Sequence, residues 1–114
     1  MIIFVLVVIA IPHQLARQDY EKVEYNVNYL QIKVQDYYRD NGMYPYSVLD
    51  MIRRSYLEAK GFENPYTNTW QQVIDGQATD LSQGQIAYEF VDKIDMRYRI
   101  TARAGNNLIV RIGK

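Results

Sequence analysis

The sequence predicts an α+β protein, in which a long N-terminal α-helix packs on a small C-terminal antiparallel β-sheet of about three strands, with a short second helix beside them. Three observations carry this. Residues 2–41 run without a glycine, apolar throughout at first and striped at helical spacing afterwards. A block rich in Gly, Asn, Asp, Thr and Gln fills 61–84, as a loop would. Beyond it, three short runs alternate apolar and polar residues, the period of a sheet with one face covered.

The first eleven residues, MIIFVLVVIAI, are all apolar, and Pro12 marks the change of character. A membrane-spanning helix needs about 20 apolar residues, so this run is too short to span as written. A cleaved secretory signal would fit its length, but no Lys or Arg precedes Arg17 and no Ala-x-Ala follows. A small domain has little interior with which to surround a helix that is greasy on every side. Burying the run is worth on the order of 15–25 kcal/mol before ordering entropy is subtracted. Segment 1–12 is therefore read as an assembly or anchor segment. Its core residues are Ile2, Ile3, Phe4, Val5, Leu6, Val7, Val8, Ile9, Ile11 and Pro12. Pro12 removes a helical hydrogen bond, which predicts a kink or local melting near 8–12.

Residues 13–114 are read as the globular domain, opening with an amphipathic helix over 13–41. Ala16, Tyr20, Val23, Val27, Leu30, Val34 and Tyr37 recur at alternating spacings of four and three, which puts them on one face to cover the sheet. The opposite face mixes Arg17, Asp19, Glu21, Lys22, Glu24, Lys33, Asp36 and Arg39, as a solvated face does. Tyr25 and Tyr29 fall off the stripe and are candidate subunit contacts, since tyrosine favours interfaces. Gly42 is the natural left-handed cap, and the residue before Pro45 avoids the helical region, so 43–46 continues extended.

Ser47 and Asp50 read as a cap and its partner opening a helix over 48–59, with Leu49, Ile52, Tyr56 and Leu57 on its apolar face. The loop 61–84 contains one short candidate strand at 70–74. The sheet occupies 85–113. Ile86, Tyr88 and Phe90 alternate in its first strand, Met96, Tyr98, Ile100 and Ala102 in the second, Leu108, Val110 and Ile112 in the third. Residues 92–95 and 105–107 are hairpin connections, making the sheet antiparallel.

Composition narrows the function classes. The 13 basic and 13 acidic side chains cancel, which removes the electrostatic argument for nucleic acid or anionic lipid as a partner. Arg97, Arg99, Arg103 and Arg111 on an outward sheet face would form a local basic patch able to meet DNA. Four exposed arginines are nevertheless ordinary, and nucleic acid is not the expected partner. Cysteine is absent and His13 is the sole histidine, so disulfides, thiol chemistry and a zinc site lack ligands. His13 lies in the rod, where no Ser/His/Asp set can assemble around it, and Glu89 reads as a surface residue. No enzyme activity, cofactor or small-molecule substrate is expected. Eleven tyrosines, against three Phe and one Trp, suit half-buried surfaces with an apolar ring and a wet hydroxyl.

Ile9-Ala10-Ile11-Pro12, the striped helix, the closing Tyr38-x-x-Asn41-Gly42-x-Tyr44-Pro45 and Asn64-Pro65-Tyr66-Thr67 together resemble type IV pilins and their pseudopilin relatives. The resemblance runs from about residue 5 to the end, and 37–45 is its most specific part. It implies a structural subunit of an extracellular, cell-surface helical filament, anchored in the inner membrane before assembly. The partners are then identical subunits, with the apolar rods bundled in the fibre core and the sheet domains tiling the outside. Adhesion, motility or DNA uptake would belong to the whole fibre. Two alternatives are a pseudopilin forming a short piston in a type II secretion-like machine, and a monomeric membrane-anchored binding module. The family usually carries about twenty residues before the proline and a Glu at the fifth position. Here position 5 is Val5, and the family's Glu would align upstream of Met1. Either the N-terminus is missing from the sequence or the subunit lacks that carboxylate. The secretion pseudopilin uses a C-terminal loop for calcium, which makes Asp75 and Asp80 calcium candidates. Their spacing matches no EF-hand, and they are read as solvated loop carboxylates.

Overall fold

The computed structural model describes residues 2–77, 79–92 and 94–113, with side chains from Arg17 onward. The side chains of Ile2, Ile3, Phe4, Val5, Leu6, Val7, Val8, Ile9, Ile11, Pro12 and Ala16 lie outside the described residues, and so does that of His13. Helix α1 runs over Ile2–Asn41, 40 residues. The backbone stays helical through Pro12, so the melting expected there does not break the element. The molecule measures 62 × 24 × 24 Å, and its long axis is the length of α1, about 60 Å at 1.5 Å per residue.

Val23, Val27, Leu30 and Val34 are fully buried, Tyr37 nearly so, and Tyr20 packs against the same core more loosely. The stripe therefore does what its spacing predicts, lying across the sheet. Gly42 ends the helix at φ +76°, its amide donating to the Tyr38 carbonyl at 2.8 Å. Helix α2 spans only Val48–Arg53, shorter than the expected 48–59. Ser47 caps it, its hydroxyl accepting from the Asp50 amide at 3.2 Å. Ser55 then turns to φ +65°, and the Tyr56 amide donates back to the Met51 carbonyl at 2.8 Å, which closes the last turn. With fewer than two turns, the buried pair is Val48 and Met51, while Leu49 is exposed and Leu57 enters the core from the turn.

The stretch 61–84, expected to be a loop with one candidate strand at 70–74, holds three short strands, two of which share that candidate's residues. β1 (Phe62–Asn64) and β2 (Thr69–Gln71) form an antiparallel hairpin, and β3 (Ile74–Asp75) joins the main sheet. With β4 (Ile86–Asp92), β5 (Arg97–Ala104) and β6 (Asn107–Gly113) the order is β3-β4-β5-β6. The sheet thus has four strands rather than three. It is mixed rather than wholly antiparallel, because β3 pairs parallel to β4. Asn64 anchors the hairpin from inside: its buried amide donates to Gln71 Oε1 at 2.9 Å and to the Gln83 carbonyl at 2.7 Å, and its Oδ1 accepts from the Tyr66 amide.

The third sequence-read strand has the opposite face to the one expected. Ala104 pairs with Asn107 across a two-residue turn, with Gly105 at φ +65°, so Ala102 pairs with Ile109 and Ile100 with Arg111. Ile109 is buried and Leu108, Val110 and Ile112 point outward. Reading the connection as three residues shifts the parity by one, and a one-residue slip moves every side chain to the other face.

Tyrosine hydroxyls fix the layers to one another. Tyr88 donates to the Pro45 carbonyl at 2.6 Å, and the side-chain amides of Gln31 and Gln35 donate to the Tyr98 hydroxyl at 3.1 and 2.9 Å. Burial pushes the Tyr88 phenol far above its ordinary pKa, and the Tyr44 phenol upward as well. A raised folded-state pKa contributes stability that is fully present below the unfolded value, about 10, and is lost as pH climbs above it. Thermal melts between about pH 8 and 11 should therefore show the midpoint level at first and falling beyond about pH 10. A midpoint that stays flat to pH 11 would contradict this placement of the phenols.

Candidate assembly surfaces

Helix α1 sets the geometry, because its buried stripe covers the sheet and leaves its flanks to meet other elements and solvent. Tyr25 is 69% exposed and Tyr29 41%. Tyr29 meets Phe62 edge to face at 5.8 Å between ring centroids, and the Lys33 ammonium lies over Tyr29 at 5.4 Å. Asn26 donates to the Glu63 carbonyl at 3.1 Å. These contacts seat the β1–β2 hairpin beside the helix and leave a groove of about 670 Å³ between them. Its walls include Tyr25, Tyr29 and Lys33 from α1, Phe62 and Glu63 from β1, and Trp70 from β2. Trp70 is 53% exposed, with the Lys60 ammonium over its ring at 4.3 Å.

Sequence reasoning singled out Tyr25 and Tyr29 and missed Phe62 and Trp70. Three-residue strands show no period, so Phe62 read as loop and Trp70 only as the start of a candidate strand at 70–74, with no sign that the two pair in a hairpin. At the helix end the Tyr38 ring lies tilted against Tyr44 at 4.6 Å, and Tyr44 in turn meets Tyr98 at 4.8 Å.

A second apolar surface lies on β6, the edge strand. Leu108, Val110 and Ile112 are 56%, 44% and 62% exposed, three large side chains in a row on the outward face. An open, apolar edge is where another chain pairs or packs.

The four arginines do not share one face: Arg97, Arg99 and Arg103 lie on the outward face of β5, and Arg111 does not join them. Arg111 turns to the helix side of the sheet and pairs with Glu24 at 3.9 Å, while Arg97 pairs with Asp95 at 3.5 Å and Arg99 with Glu89 at 3.4 Å. The cause is the β6 parity: Arg111 sits opposite Ile100, which faces the core. Asp75 and Asp80 are both exposed, and Asp75 accepts from the Val48 amide at 3.3 Å, steadying the start of α2. Among the described residues, no three His, Cys, Asp or Glu side chains converge as metal ligands would. Among the same residues, no helix is long and apolar enough to cross a membrane. No family model, curated protein or solved structure matches this chain.

Proposed function

We propose that this chain is a pilin-like structural subunit of an extracellular helical filament, polymerising through the apolar N-terminal part of α1. The observation that carries the reading is the division of one unbroken helix. Its stripe from Val23 onward is buried on the sheet, while the uninterrupted apolar run over 2–11 opens the same 40-residue element. A surface so apolar is costly in water, and identical rods side by side bury it without requiring any single copy to enclose it. Contacts between unlike faces that do not close into a ring build a helical fibre. The inner membrane would hold the same segment before assembly. The exposed aromatic groove and the apolar β6 edge support a partner-rich surface.

Sizing the chain with and without residues 1–12 tests this. The full chain should sediment as large assemblies or require detergent, and the 13–114 chain should run as a monomer. A full chain that is monodisperse and detergent-free overturns the assembly reading.

A further inference from the structure

We infer that the β6 edge of one copy seats in the aromatic groove of the next, an inference that rests on the filament reading above and names its lateral contact. Both surfaces are exposed and present once on each chain; the β6 stripe is apolar, and the groove sets the rings of Tyr25, Tyr29, Phe62 and Trp70 among polar side chains. They also match in length. The helical wall of the groove from Tyr25 to Lys33 rises about 12 Å, and the stripe from Leu108 to Ile112 spans about 14 Å.

Charge supports the pairing. Glu63 at the groove has no ion-pair partner among the described residues. Arg103 sits opposite Leu108 on β5 and so shares its outward face, and it too has no ion-pair partner among the described residues. An acidic group on one surface and a basic group beside the other are complementary between copies.

The two surfaces flank α1 on different sides. Glu24 reaches Arg111 on β6, and Asn26 reaches Glu63 on the hairpin, and residues two apart on a helix point about 200° from one another. Groove and edge therefore cannot meet within one molecule. Their contact is heterologous, and where the rotation between copies closes no ring it extends the row from copy to copy.

The chain has no cysteine, so engineered thiols report this contact without background. Full-length Tyr25→Cys/Val110→Cys, assembled and treated with a bis-maleimide cross-linker, should give a ladder of multimers on denaturing gels. Each single variant should stay monomeric on the gel. Both positions are exposed, so folding is not at stake. Filaments of normal yield without a ladder overturn the inference and leave the filament reading standing. Dimers from Val110→Cys alone would mean edge-to-edge pairing, and dimers from Tyr25→Cys alone helix-to-helix packing; each overturns it. A full chain that forms no filaments overturns both. As a second arm, Glu63→Arg and Arg103→Glu should each raise the critical concentration for assembly by about tenfold, and their combination should restore it. A double variant no better than either single one overturns the inference.

Discussion

Leu30→Ala should destabilise the folded domain by about 2–5 kcal/mol, a large part of the roughly 5–15 kcal/mol that holds a domain of this size together. Leu30 is fully buried in the centre of the α1 stripe, with Val27 and Val34 one turn to either side and the sheet beneath. Removing its isobutyl group forfeits the transfer free energy and leaves a hole that β5 and the helix, tied by the Tyr98 hydrogen bonds, relax into only partly. Ile32 is two residues away on the exposed side, and Ile32→Ala should change stability by no more than about 0.5 kcal/mol. Urea unfolding of the 13–114 chain followed by circular dichroism measures both. Equal losses at the two positions would mean that the stripe is not the face that covers the sheet.

Val5→Lys should abolish filament formation while leaving the fold of the globular domain intact. In the proposed fibre, residue 5 of each rod is enclosed by other rods, and an ammonium there has no carboxylate within the 1–11 run to pair with. Burying an unpaired charge costs several kcal/mol, and each 1.4 kcal/mol is about tenfold in association, so the critical concentration should rise at least about a hundredfold. Circular dichroism and the urea midpoint of the variant should match the parent, because residue 5 precedes Val23, the first buried stripe position among the described residues, by about five turns. Wild-type filament yield from this variant would place residues 1–11 in contact with solvent.

Much of the fold was legible because its signals are local. The Val23–Val27–Leu30–Val34 spacing is a property of one helix, and Gly42 and Ser47 act on their immediate neighbours. What escaped depends on partners distant in sequence. β3 is a two-residue strand that exists because the backbone near Tyr88 offers it a place; the candidate strand read at 70–74 ran into Ile74 but gave neither its bounds nor its parallel pairing. The face of β6 turned on whether the preceding connection holds two residues or three, and with it went both the apolar stripe and the destination of Arg111. Asn64 looks like an ordinary turn residue before a proline. It is buried because Gly84 lets the 83–84 segment come close: a Cβ on Gly84 would overlap the Asn64 side chain. Of the candidate surfaces, the sequence named Tyr25 and Tyr29 through their departure from the stripe. Phe62 and Trp70 join them only through the hairpin's tertiary position.

In the proposed filament the apolar end of α1 finds its shelter among other copies of the same chain. Electron cryomicroscopy of full-length material tests it directly. The account predicts fibres in which residues 2–11 of each subunit are ringed by helices of neighbouring subunits, with the sheet domains outside. Discrete particles in which that segment folds back on its own sheet, touching neither a second molecule nor lipid, would contradict it.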